Sequence, residues 1–226
     1  MEITFLGHAA LLITTSNSKI LIDPFISGND KATNVIDINT LKPNYILITH
    51  AHQDHILDAE SIAKRSGATI VSNYEIATYY QKKGINVHPM NHGGNWSFDF
   101  GILRYTNAIH TSSFPDGSYG GQPGGFIITT ENKQVYIAGD TALTMDMKLI
   151  PLTHELDLAI LPIGDNFTMG IADAVIASDF IKCDNILGYH YDTFGYIEID
   201  HTEAINSFKK AGKVLHLLPI GESLVV

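Results

Sequence analysis

Tyr45-Ile46-Leu47-Ile48-Thr49-His50-Ala51-His52-Gln53-Asp54-His55 is the stretch on which the reading of this chain turns. Its first four residues form an apolar run of the length of a buried strand. The six residues from His50 to His55 then set three imidazoles and a carboxylate just past that strand. Packing does not call for titratable groups at this density. Such groups converging at a strand end can hold one or two divalent cations. A cation held with one coordination position open generates hydroxide at neutral pH.

Working outward, residues 3–6, 10–14 and 19–22 read as strands of a meander, with Ser16-Asn17-Ser18 at a turn. Downstream, Asp58 caps a helix over 59–65 that Gly67 ends, and 69–71 is a strand. Ser72 with Glu75 forms a capping box for a helix to Lys82, stopped by Gly84. Strands follow near Val87 and over 96–100, 103–108, 125–130 and 134–138, with Asn132 in a hairpin turn. The C-terminal part alternates: helix near 145–152, strand 158–161, helix 171–181, strand 185–187. Asp200 with Glu203 then opens a helix to Ala211, and strands at 214–217 and 224–226 finish the chain. This order predicts two sheets with helices outside them, in one domain over residues 1–226. The two halves follow a similar order without a sequence repeat.

Composition narrows the function. Hydrophobic residues make up 45% and charged residues 17%, enough for a sizeable core. The net charge of −10 argues against sequence-independent binding of nucleic acid, which needs a cationic surface. A small anionic substrate stays open, because bound cations invert the local field. The lone cysteine, Cys183, allows no intrachain disulfide and suits a reducing compartment. The N-terminus lacks a basic segment before Lys19, and no apolar run approaches a membrane span, so a cytoplasmic location is expected.

Distant segments complete the histidine loop. His110 follows the strand 103–108, Asp140 follows Val135-Tyr136-Ile137-Ala138-Gly139, and His190 follows Ile186-Leu187-Gly188-Tyr189. The pattern H-x-H-x-D-H, then His, then Asp within Ala138-Gly139-Asp140-Thr141, then His, resembles the metallo-β-lactamase superfamily. Phe5-Leu6-Gly7-His8-Ala9, Leu21-Ile22-Asp23-Pro24-Phe25, Tyr119-Gly120-Gly121-Gln122-Pro123 and Leu161-Pro162-Ile163-Gly164 are similar to its metal-dependent hydrolases related to ascorbate-6-phosphate lactonases. The resemblance spans nearly the whole chain and implies an α/β fold, a four-layer αββα sandwich with metals at one edge. It implies two divalent cations, zinc first among Zn, Mn, Fe and Ni. His50, His52 and His110 would bind one, Asp54, His55 and His190 the other, and Asp140 would bridge them. Asp54 and Asp140 are thereby placed in catalysis, around a shared hydroxide acting on a small cytosolic ester, lactone or phosphoester. Relatives also suggest a homo-oligomer.

His8 and Asp23 are candidates for groups lining the cleft or orienting a ligand histidine, with His8 read inside an apolar strand. Tyr119, in the Gly-rich loop 114–125, Thr168, before the helix at Ile171, and Tyr191, after His190, are candidates for substrate contact. Asp165 and Asp192 depart from the small residues expected at their positions, which weakens a phosphate site. His88, His154, His201 and His216 read as structural or surface groups; His92 fits either a cleft or a surface position. Two other functions compete with hydrolysis: a di-iron redox protein, whose relatives carry a carboxylate where His52 stands, and a non-catalytic metal-binding module.

Overall fold

The computed structural model describes residues 1–226. The chain opens with β1 (Glu2–Gly7), β2 (Ala10–Thr14), β3 (Lys19–Ile22), α1 (Asp30–Thr33), β4 (Tyr45–Leu47), α2 (Gln53–Ile56), α3 (Ala59–Ser66), β5 (Thr69–Asn73), α4 (Tyr74–Gln81) and β6 (Val87–Met90). It continues with β7 (Asn95–Phe98), β8 (Gly101–Asn107), β9 (Gly124–Thr130), β10 (Lys133–Ile137), β11 (Leu158–Pro162), α5 (Ile171–Phe180), β12 (Asn185–Tyr189), α6 (His201–Lys210), β13 (Val214–His216) and β14 (Ser223–Val225). Two seven-stranded sheets result, ordered β14-β1-β2-β3-β4-β5-β6 and β13-β12-β11-β10-β9-β8-β7. Each is antiparallel over its hairpins and parallel where helices intervene, from β3 to β6 and from β10 to β13. That shared order is the similarity of the two halves visible in the sequence.

Alternation along each strand builds the layers. Leu47 points between the sheets, where it packs with Phe5, Ile22, Tyr105, Phe126, Ile137 and Tyr189. Its neighbours Ile46 and Ile48 point outward, onto Ile56, Ala59, Ile62, Ile76 and Tyr80 of the first helical layer. On the other sheet Tyr136, Ala138, Leu161 and Ile186 face Ala174, Ala177, Ala204 and Phe208 of the second helical layer. Both faces of the central strands are buried, which is why their sequences read as unbroken apolar runs. The four-layer αββα arrangement expected from the sequence is the fold.

Several local expectations need correction. His8 is not within a strand: it sits in the turn between β1 and β2 at φ 56°. The apolar run 5–11 hid that turn, because Gly7 at φ 99° lets the chain reverse. Ser72 does not cap α4. Its hydroxyl donates to the Ile48 carbonyl at 2.6 Å inside the sheet, and Asn73 caps instead, accepting from Ile76 N at 2.9 Å. Residues 145–152 form a 3₁₀ rather than an α-helix, with Pro151 removing a backbone donor. The 131–132 turn behaves as expected, with Glu131 and Asn132 both left-handed (φ 53° and 60°), as a two-residue hairpin requires.

Asp58 precedes α3 but makes no side-chain cap bond. Its carboxylate instead accepts from Ile26 N at 2.6 Å, Ser27 N at 2.9 Å and the Ser27 hydroxyl. It thus pins the loop that follows β3. Asp58→Ala leaves those donors unpaired and should cost about 2–3 kcal/mol. Urea denaturation checks this; a midpoint equal to that of the parent protein would show that the loop is held by other contacts.

Candidate metal centre

Six strand ends deliver the site. His8 follows β1, Asp23 follows β3, His50 to His55 follow β4, His110 follows β8, Asp140 follows β10 and His190 follows β12. The two β4-derived residues Asp54 and His55 ride on α2, a four-residue helix that the sequence reading left as loop. Three of these positions, His8, Asp23 and His190, hold a non-glycine residue in the left-handed region, as does Asp192 two residues beyond His190, with φ between 40° and 58°. Backbone strain of this kind gathers at functional sites. Gly139 at φ +70° sets Asp140, and a Cβ there would meet the Gly124 carbonyl at 2.5 Å.

The seven expected ligands converge. Asp140 Oδ2 lies 3.0 Å from His190 Nε2, 3.4 Å from His55 Nε2, 3.6 Å from His110 Nε2 and 3.9 Å from His50 Nε2. One oxygen therefore faces histidines from three strand ends. Two ligand groups flank it: His50 with His52 and His110, and His55 with Asp54, His190 and His8, with ligand atoms within 4.8 Å of one another in each. His50, His55, Asp140 and His190 are buried, whereas His52, Asp54 and His110 are partly open to solvent.

Orphaned atoms show what the cluster lacks. His55 Nε2, both ring nitrogens of His190 and Asp140 Oδ1 are buried without a hydrogen-bond partner. The 3.0 Å approach of His190 Nε2 to Asp140 is not aligned as a hydrogen bond. Buried imidazole nitrogens and a carboxylate oxygen left unsatisfied in one cluster are costly, and a cation bound there would offset that cost. Electrostatics points the same way. Burial disfavours a charged His55, yet the carboxylates of Asp140, Asp54 and Asp23 outweigh it and raise its pKa well above the usual value, so positive charge is favoured at that spot. Burial also disfavours ionised Asp140, but His190 and His55 hold it well below the ordinary carboxylate range. His50, His52 and His110 are pushed down by burial and stay neutral, the form in which imidazole binds metal.

His8 and Asp23 differ from His55, His190 and Asp140 in being fully partnered. Asp23 Oδ1 accepts from Thr49 N at 2.8 Å, and its Oδ2 accepts from the Thr49 hydroxyl at 2.6 Å and from His55 Nδ1 at 2.8 Å. Because that hydroxyl donates to Asp23, its lone pair is left to accept from His50 Nδ1 at 3.0 Å. Asp23 thus aims two imidazoles at once. His8 uses Nε2 on Asp54 Oδ2 and Nδ1 on the Thr193 hydroxyl, both at 2.9 Å, and burial with the charge of His190 pushes its pKa down to about 4. Its ring also lies 4.2 Å from that of His190, and its carbonyl accepts from His190 N at 2.8 Å.

None of the three substrate candidates hydrogen-bonds to an expected ligand through its side chain. Tyr119 is exposed on the Gly-rich loop, where its backbone pairs with Ser113. Thr168 donates to the Met169 carbonyl at 3.2 Å. Tyr191 is buried against Phe5, and lines a separate pocket of about 350 Å³ behind His8. His92 bonds the Pro123 carbonyl, His201 pairs with Asp192, and His216 with Asn185. Sequence reasoning missed Thr49, Thr193, Ser112 and Asn73. Ser112 and Asn73 secure the Gly-rich loop, Ser112 through Ala51 N and the Gly120 carbonyl, Asn73 through the Gly120 and Gln122 carbonyls. Thr49, Ser112 and Thr193 each stand within three residues of a ligand in sequence, a signal that could have flagged them; Asn73 carries none.

The family model of the beta-lactamase superfamily domain matches residues 2–190. A UPF0173 metal-dependent hydrolase of Christiangramia forsetii is 67% identical over 99% of both chains. This chain belongs to the UPF0173 family. It is a metal-dependent hydrolase, and its clustered histidines and aspartates suit a divalent cation. A UPF0173 protein of Methylacidiphilum infernorum is 47% identical over the full length of both. Among solved structures, Igni18, a metallo hydrolase from Ignicoccus hospitalis, is 32% identical and superimposes with a TM-score of 0.90 over 99% of this chain and 97% of its own. No helix is long and apolar enough to cross a membrane.

Proposed function

We propose that this UPF0173 chain hydrolyses a small ester, lactone or phosphoester with two divalent cations, one held by His50, His52 and His110, the other by Asp54, His55 and His190, with Asp140 between them. The observation that carries the reading is the buried Asp140 Oδ2 within 3.9 Å of four histidine Nε2 atoms, two of which, on His55 and His190, are buried without a hydrogen-bond partner. Divalent cations there would supply a nucleophile from water at neutral pH and neutralise charge developing on the attacked group. The protein's own part is positioning. Asp23 fixes the tautomers of His55 and, through Thr49, His50. His8 holds Asp54 and, with Thr193 behind it, keeps that carboxylate turned inward. Asp54 is the ligand that lines the cleft formed with Phe25, Leu57, Phe167, Phe194 and Tyr196, so substrate would meet the centre beside it. The His/Asp donor set accepts Zn, Mn, Fe or Ni, with Zn as our assignment. The net charge of −10 supports a small-molecule substrate over nucleic acid, and a cytoplasmic site of action fits the single buried Cys183.

The test is elemental analysis of the purified protein, followed by chelation and add-back of each metal during an ester, lactone and phosphodiester screen. Two metals per chain and metal-restored turnover are expected. His52→Ala should remove one metal and lower kcat/KM by at least about a hundredfold. Full activity after complete chelation would overturn the proposal.

A further inference from the structure

An aromatic wall stands beside the metal centre. Phe25, Leu57, Phe167, Phe194 and Tyr196 line a cleft of about 720 Å³ together with the expected ligand Asp54. The wall is anchored on the site: His8 packs edge-on to Phe25 at 5.5 Å and to Phe194 at 5.3 Å. Further out, Phe167 and Tyr196 meet edge-to-face at 6.2 Å, with 51% and 78% of their surface open to solvent. Phe194 and Leu57 are also exposed. Exposed large apolar side chains grouped around a cavity mark a binding surface rather than a folding requirement. No lysine or arginine lines this cleft. The neighbouring Lys31 is engaged with the Asp192 carbonyl and faces the pocket behind His8 instead.

We infer that this cleft selects a neutral acyl substrate, an ester or lactone carrying an aromatic group, over anionic phosphoesters. The inference rests on the hydrolase reading above and names its substrate class. The aromatic group would lie against Phe167 and Tyr196, the electron-poor edge of one ring meeting the face of another. The carbonyl would then reach the centre beside Asp54. Water adds across the acyl–oxygen bond, giving the carboxylic acid and the alcohol, with no other reactant. A phosphodiester brings a full negative charge that the cations of the centre alone would offset, because the cleft beyond Asp54 carries no lysine or arginine to hold it.

Metal-loaded protein, Phe167→Ala and Tyr196→Ala provide the test. Both residues are exposed, so the variants should fold. Binding is read calorimetrically with benzohydroxamate and acetohydroxamate, metal-seeking probes that differ by the ring. Turnover is read with 4-nitrophenyl phenylacetate, 4-nitrophenyl acetate and bis(4-nitrophenyl) phosphate. The parent protein should bind benzohydroxamate more tightly, and each substitution should weaken it about tenfold, since a missing apolar contact in such a pocket is worth roughly 10–200-fold. Acetohydroxamate affinity should stay within about twofold. Turnover should show the same split, with the phosphodiester slowest. Equal weakening of both probes, no effect on either, or faster phosphodiester hydrolysis overturns the inference. So does dissociation of an oligomer by Phe167→Ala in sedimentation, which would assign the wall to contact with a second copy. Absence of turnover with every substrate refutes the hydrolase reading alone, because the hydroxamate arm still reports on the cleft.

Discussion

Asp140→Asn is expected to lower kcat/KM by at least about a thousandfold, some 4 kcal/mol of transition-state stabilisation. Asp140 Oδ2 lies within 3.9 Å of four imidazole nitrogens, drawn from both ligand groups. The amide has the same shape, so packing around a residue that is only 3% exposed should survive. What it lacks is the negative charge. Without that charge, two cations bound as proposed would repel each other with less screening, and an amide NH₂ would face imidazole lone pairs. Elemental analysis should find the bound metal reduced to one per chain or fewer, while circular dichroism stays that of the parent. A variant that keeps two metals and activity within about tenfold of the parent would remove Asp140 from the bridging role.

Much of the centre was legible because its residues carry their chemistry in their identity and stand just past apolar strands. His50 to His55, His110, Asp140 and His190 could be found that way, and the structure brings all seven together. The sandwich was legible for a related reason: β4, β10 and β12 are buried on both faces, so nothing polar interrupts them. What stayed hidden depends on contacts distant in sequence. Asp58 looked like a helix cap, yet its carboxylate turns back over thirty-two residues to Ile26 N. Ser72 looked like a cap, yet the sheet claims its hydroxyl and Asn73 takes the role. His8 was hidden by the apolar residues around it, since only the turn at Gly7 rotates its ring towards Asp54. The aromatic wall was invisible for the same reason: Phe25, Phe167 and Phe194 come from three separate loops, and no periodicity joins them. Tyr119 stands on a loop near His110 in sequence, and the fold leaves its side chain exposed with its backbone paired to Ser113.

Two substitutions at Asp23 should fail for different reasons, and the difference exposes what this buried carboxylate does. In Asp23→Ala, Thr49 N, the Thr49 hydroxyl and His55 Nδ1 all lose their acceptor in a fully buried pocket. Removing one partner of such a buried network costs about 3–5 kcal/mol. For a chain of this size that lowers Tm by roughly 6–20 °C at about 2–4 °C per kcal/mol. Asp23→Asn fills the same volume and can still accept from Thr49 N. Its NH₂ must then face the Thr49 hydroxyl and His55 Nδ1, where the carboxylate accepted. The way to avoid two opposed donors is for His55 to shift its proton from Nδ1 to Nε2. That proton occupies the nitrogen directed at the metal centre, which is otherwise buried and unpartnered. The loss therefore moves from stability to metal affinity, by about 10–100-fold, the usual scale for a group that orients a ligand. Chelator competition at fixed pH measures the affinity, and calorimetric melting of the chelated proteins measures the stability without metal. Asp23→Asn should stay close to the parent in the melt and weaken in the competition; Asp23→Ala should fall in both. If Asp23→Asn binds metal as tightly as the parent, His55 does not depend on Asp23 for its tautomer, and the carboxylate serves the fold alone.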